Sequence, residues 1–170
     1  MAEEYIIDKS LPDENKYEDF LSLIKTLLSR NDNFLSNLSN FTAAIKQTFN
    51  KISWAGFYLF DGTKLYLGPF QGKIACTSIE LGKGVCGISA LQHKTVIVPD
   101  VNKFPGHISC DSESKSEIVI PIIKKDKSDF SLKGTLLGVL DLDSASYNSF
   151  NETDKKYLEL LCGFLAEEIF

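Results

Sequence analysis

No Lys/Arg block stands out along the 170-residue chain, and its net charge is −5. An acidic chain without a basic stripe lacks the electrostatic footing for nucleic acid or an anionic membrane surface. No apolar run approaches the ~20 residues of a membrane-spanning helix. The N-terminus, Met1-Ala2-Glu3-Glu4-Tyr5, is acidic and lacks the basic-then-apolar order of a secretory signal. These absences predict a cytoplasmic protein, with the nucleus also open to it. Thiols are mostly kept reduced there. The four cysteines then read as catalytic thiols, metal ligands or core residues, and less as permanent bridges. Internal repeats and low-complexity segments are also missing.

Close cysteine pairs are missing too. Tetrahedral zinc sites usually show pairs such as C-x2-C. Here Cys86 follows Cys76 by ten positions and Cys110 follows Cys86 by twenty-four. That spacing carries no metal signature, and neither a metal nor a bound cofactor is expected. Gly82, Gly84 and Gly87 fit neither the Walker nor the dinucleotide spacing, so nucleotide binding is disfavoured.

What is present is an ordinary globular balance, 44% hydrophobic and 24% charged. The length suits one domain over residues 1–170. Tyr17, Phe20, Leu21, Ile24, Leu27 and Leu28 recur at helical steps after Pro12-Asp13. Phe34, Leu35, Leu38, Phe41, Ala44, Ile45 and Phe49 mark a second helix, so residues 13–50 read as helical with a break at Asn31-Asp32-Asn33. Residues 53–143 carry short strand-like runs: Trp54–Phe60, Lys64–Leu67, Ile74–Ile79, Thr95–Val98, Ile118–Ile123 and Leu136–Leu140. Asp61-Gly62-Thr63 is a hairpin signal. Gly82 to Ile88 reads as a loop entering a short helix, and Lys124–Ser131 as an exposed hairpin tip. A last helix spans 151–170, with Asp154 placed to help cap it. Helices, then about six strands, then one helix predict an α+β domain. Its sheet is mostly antiparallel, with helices on one face.

Chemistry concentrates between Trp54 and Asp143. Cys110 sits in a polar stretch between His107 and Lys115, either of which favours a thiolate; the plainer reading is an inert loop thiol. Cys86, in a glycine-rich turn, reads as a mobile thiol able to swing toward another sulfur. Cys162 falls on the apolar side of the last helix and reads as core. Asp141 and Asp143 are one residue apart on a strand, so alternation puts both on one face. Glu117 opens another strand. If the two strands neighbour each other, three carboxylates converge, although solvated strand ends are the commoner fate of a lone acid. Clustered carboxylates raise one another's pKa, so one can stay protonated and donate. Trp54 and Tyr58 alternate with Phe57, a pattern most often seen in cores.

Several segments together resemble the free methionine-(R)-sulfoxide reductases, a family built on the GAF fold. They are Trp54-Ala55-Gly56-Phe57-Tyr58, Leu67-Gly68-Pro69-Phe70-Gln71-Gly72-Lys73, Gly82-Lys83-Gly84-Val85-Cys86-Gly87 and Pro99-Asp100-Val101. Further along are Phe104-Pro105-Gly106-His107-Ile108-Ser109-Cys110-Asp111, Ser116-Glu117-Ile118-Val119-Ile120-Pro121 and Gly138-Val139-Leu140-Asp141-Leu142-Asp143. The resemblance implies that Cys110 is the nucleophile and that Cys86 is its partner in an intramolecular disulfide. Cys76 is implied to take part in recycling by thioredoxin. Glu117, Asp141 and Asp143 are implied to bind the free amino-acid sulfoxide, with Asp143 or Glu117 as proton donor and Trp54 and Tyr58 as pocket walls. A cytoplasmic role in oxidative stress and a homodimer also fit the family. Two rivals stand beside this reading: a GAF small-molecule sensor without catalysis, and a thiol redox sensor without a substrate.

Overall fold

The computed structural model describes residues 7–108, 112–125 and 134–170. Among them four α-helices and six strands follow the order α1 (Asp13–Leu27), α2 (Phe34–Thr48), β1 (Trp54–Phe60), β2 (Lys64–Gln71), β3 (Ser78–Glu80), α3 (Gly84–Gln92), β4 (Val96–Val98), β5 (Ser116–Lys124), β6 (Thr135–Ser144) and α4 (Glu152–Glu168). A 3₁₀ turn at Val101–Lys103 leads away from β4. The strands form one antiparallel sheet in the order β3-β2-β1-β6-β5-β4. The architecture is the predicted α+β arrangement.

Alternation along the three central strands sorts their side chains cleanly. Ala55, Phe57, Ile118, Ile120, Ile122, Leu140 and Leu142 face one way and pack under α1, α2 and α4. Phe20 meets Phe41 edge-on, and Phe41 in turn lies against Phe57. Burying an aliphatic or aromatic side chain of this size is worth about 1.5–3 kcal/mol each, so this face is where most stability accumulates. Cys162 is buried here, as its place in the helical stripe predicts.

The N-terminus of α4 is tied to the same layer. Asn151 accepts from the backbone of Thr153 and Asp154, and Asp154 accepts from the Asn151 backbone at 2.8 Å, a full capping box. Asp154 is wholly buried, yet its other oxygen accepts from Tyr17 Oη at 2.8 Å and from Lys51 Nζ at 2.6 Å.

The opposite face carries α3 and a smaller apolar cluster that includes Trp54, Tyr58, Val85, Cys86, Val119 and Val139. Three helices thus cover one face, and the short fourth covers the other. β2 and β6 run further than periodicity predicts, to Gln71 and Ser144, and β3 is shorter, Ser78–Glu80. β2 continues through Gly68-Pro69 because its register against β1 shifts there, leaving Pro69 outside the ladder. Residues 126–131 of the expected hairpin tip lie outside the described residues. No helix among the described residues is long and apolar enough to cross a membrane.

Candidate active site

Three central strands bring the predicted acids into line. In register, Trp54 on β1 faces Asp143 on β6, Asp143 faces Glu117 on β5, and Glu117 faces Val98 on β4. The next row on the same face is Gly56, Asp141 and Val119. Tyr58 and Val139 form the one after. Glycine at 56 is required by packing, because a Cβ there would overlap the Trp54 ring and Phe70. The indole fills that space, stacked on Phe70 at 5.5 Å and beside Tyr58 at 6.2 Å. Trp54 Nε1 donates to the Lys73 carbonyl at 3.0 Å, and Tyr58 Oη donates to the Cys76 carbonyl at 3.1 Å. The two aromatics therefore form a wall and also pin the 73–76 segment beside it.

The roof is α3. In place of the mobile glycine turn that the sequence predicts, Cys86 sits in the first turn of this helix, 3% exposed. The glycines serve helix packing: a Cβ on Gly87 would collide with the Glu80 carbonyl, so only glycine lets α3 settle against β3. The Cys86 thiol is free and hydrogen-bonds to Asp141. Burial, then the charges of Asp141 and Glu117, push its pKa well above the ordinary thiol value. Cys86 is a protonated donor here, not a thiolate.

Below it lies the acid cluster. Glu117 and Asp141 are 6% and 7% exposed and hydrogen-bonded to each other. One ligand atom from each of Cys86, Glu117 and Asp141 lies within 4.8 Å of the other two. Burial, then the charges of Glu117 and Asp143, raises the Asp141 pKa well above the carboxylate range. Burial, then Asp143, does the same for Glu117. Two adjacent desolvated carboxyls do not both ionise readily, so the pair retains a proton. Asp141 Oδ1 is buried without a hydrogen-bond partner among the described residues. Such an orphan acceptor costs about 1–3 kcal/mol, which a bound cationic donor would recover.

Two neighbours complete the lining. Ser114 Oγ donates a short hydrogen bond to Asp143. His107 Nε2 is 3.6 Å from Glu117 Oε2, and burial lowers its pKa, so the imidazole is neutral near pH 7. Nothing in the sequence singled out Ser114, because a loop serine carries no pattern of its own.

One cavity is thus lined by Trp54, Tyr58, Cys86, Glu117, Asp141 and Asp143, with Ile74, Ala75, Ile79, Gly84, Val85, His107, Ile108 and Ser114 around them. Cys76 stands just outside that lining and is disulfide-bonded. Cys110, on which the nucleophile expectation falls, lies outside the described residues. An aromatic wall facing buried acids, one with an open oxygen, suits a small ligand with an apolar part and a cationic part.

No protein-family model matches the chain. It is 52% identical to GAF domain-containing protein A of Dictyostelium discoideum over 159 residues, covering 93% of this chain and 94% of that one. It is 45% identical to the free methionine-R-sulfoxide reductase of Saccharomyces cerevisiae over 159 residues, 89% of this chain and 84% of that one. Its fold matches the solved free methionine-R-sulfoxide reductase of Neisseria meningitidis, in complex with its substrate. The TM-score is 0.84 at 38% identity, over 93% of this chain and 90% of that one.

Proposed function

Because the chain belongs to the free methionine-R-sulfoxide reductases, oxidoreductases on the GAF fold, we propose that it reduces free methionine (R)-sulfoxide to methionine with cysteine thiols. The observation that carries this reading is the open Asp141 oxygen, buried opposite the Trp54 and Tyr58 wall. A free amino acid brings an ammonium that donates to that oxygen as a charge-assisted hydrogen bond. A peptide-bound residue brings a neutral amide and leaves the acids poorly paired.

The thiolate of Cys110 attacks the sulfoxide sulfur. Glu117, kept protonated by burial and by Asp143, supplies the proton that lets the sulfur–oxygen bond break; Asp143, held by Ser114, is the alternative donor. The substrate sulfur gains two electrons and leaves as the thioether of methionine. The oxygen passes with that proton to the Cys110 sulfur, so that a sulfur–oxygen bond forms there as the substrate's breaks and Cys110 becomes a sulfenic acid. A second thiol condenses with it, releasing water and forming a disulfide. The dithiol of thioredoxin then reduces that disulfide by exchange.

Cys86 and Cys76 both stand as candidates for the second thiol. Cys76 is favoured, because its sulfur is the one engaged in a disulfide, whereas Cys86 is held in α3 as a protonated donor to Asp141. Recycling by thioredoxin and protection against oxidative damage fit a cytoplasmic location.

Incubation with free methionine-R-sulfoxide and dithiothreitol, followed by methionine analysis, tests the activity. Wild type makes methionine and Cys110→Ser does not. No methionine from wild type removes the reading, and substantial product from Cys110→Ser removes the nucleophile. The resolving thiol is read with thioredoxin: Cys76→Ser completes one round and stops, and Cys86→Ser continues.

A further inference from the structure

We propose that Cys86, Glu117 and Asp141 form a zinc site that competes with substrate for the pocket. The cysteine spacing shows nothing of the kind, since the three ligands come from separate elements, α3, β5 and β6. The fold alone brings them together. Their ligand atoms lie within 4.8 Å of one another, and all three residues are buried. Asp141 Oδ1 has no hydrogen-bond partner among the described residues although it is buried. An acid cluster alone is commonplace; this one adds a buried oxygen without a partner among the described residues and a thiol outside any disulfide.

The donor chemistry selects the ion. One sulfur and two carboxylate oxygens suit a borderline-soft cation. Calcium and magnesium prefer six or more oxygens, and a thiol is a poor ligand for either. Zinc takes sulfur at about 2.3 Å and oxygen at about 2.0–2.2 Å in a tetrahedron, which sets ligand–ligand edges of about 3.3–3.8 Å. Since no pair of these atoms is further apart than 4.8 Å, side-chain adjustment of at most about 1.5 Å meets that geometry. Three protein ligands leave the fourth position open, the pattern of an accessible site and not of a closed structural one. The thiol must lose its proton to bind, so occupancy rises with pH.

Zinc seated there neutralises the acids and occupies the oxygen that would hold the substrate ammonium. It also takes the Glu117 carboxyl needed as proton donor. Free zinc therefore stops turnover reversibly. The inhibition rests on the reductase reading; the binding itself does not.

The test uses the full chain, reduced and freed of metal by chelation. Cadmium is added as a probe of thiolate ligation and read by its ultraviolet sulfur-to-metal charge-transfer band. Zinc is titrated by calorimetry. One equivalent of zinc binds, and cadmium gives the band. Cys86→Ser and Cys86→Ala each lose the band and weaken zinc binding at least tenfold, and Asp141→Asn weakens it comparably. Cys162→Ser, in the opposite core, and the Cys76→Ser/Cys110→Ser double variant keep the band. Near-ultraviolet circular dichroism checks that each variant is folded. Absence of the band in wild type overturns the proposal, as does a band that survives both Cys86 variants or vanishes in the double variant. Methionine formation is measured separately with chelator present. Turnover without zinc binding sinks the site alone, and zinc binding without turnover sinks the reductase reading alone.

Discussion

Two buried aspartates on opposite sides of the sheet show how differently one fold treats the same residue. Asp154, in the first turn of α4 and against α1, is saturated: Tyr17, Lys51 and the Asn151 backbone all donate to it. Asp141, under α3, is surrounded by Glu117, Asp143 and a thiol, and one of its oxygens has no partner among the described residues. The first carboxylate is neutralised by the chain itself. The second is left for something that arrives from outside. A buried charge that the fold completes holds structure together. A buried carboxyl group that the fold leaves incomplete lowers stability and marks a binding site.

Replacing each aspartate by asparagine breaks the comparison from both ends. Asp141→Asn removes the ammonium acceptor, and kcat/KM for free methionine-R-sulfoxide falls by about 10²–10³, roughly 3–4 kcal/mol of transition-state stabilisation. The same variant melts no lower than wild type at neutral pH, because it deletes a buried ionisable group from a like-charged cluster. Steady-state kinetics and a thermal melt on one preparation read both effects. A drop in melting temperature with unchanged kcat/KM would reverse the roles assigned here.

Asp154→Asn has the opposite profile. It breaks a buried pair and costs about 2–3 kcal/mol. That is below the range for fully buried pairs because the Lys51 side chain is 21% exposed. Denaturant unfolding measures it, and KM stays within about twofold since the residue lies across the sheet from the cavity. A larger change in KM than in stability would contradict the separation of the two faces.

The smallest effect lies in pH. The unfolded chain releases the Asp141 and Glu117 protons near their ordinary values of 3.8 and 4.5, whereas the fold retains them to higher pH. Their stabilising contribution is full below the unfolded values and is lost as pH rises through the folded ones. His107 works in the other sense, since burial lowers its pKa and its contribution is lost as pH falls below about 6.5. The difference between wild type and Asp141→Asn isolates the acid cluster. Between pH 5 and pH 8 wild type loses more stability than the variant. Parallel melting curves across that range would show that the cluster does not hold its protons.

Local pattern made part of this site legible and left part dark. Asp141 and Asp143 were readable as one face of a strand because alternation is a property of the backbone itself, and Glu117 was readable as the start of the next strand. Local pattern makes Cys86 part of a mobile turn, because Gly82, Gly84 and Gly87 are poor helix formers. The helix forms anyway, since glycine at 87 lets α3 touch the Glu80 carbonyl. Local pattern ends β2 before Gly68-Pro69, where a register shift accommodates a proline that local rules exclude from a strand. Ser114 had no signal, because its importance consists wholly of reaching Asp143.

The sequence by itself determined which residues share a face of each strand, where the helices lie, and that a core, a thiol set and three acids exist. Those follow from periods of two and 3.6 along one dimension, set by covalent geometry. Tertiary structure alone decided that Glu117 stands opposite Asp143, that Cys86 meets Asp141, and that among the described residues Asp154 is satisfied while Asp141 is not. Partnership depends on register between strands and on where helices land, and neither is written in the spacing of residues along the chain.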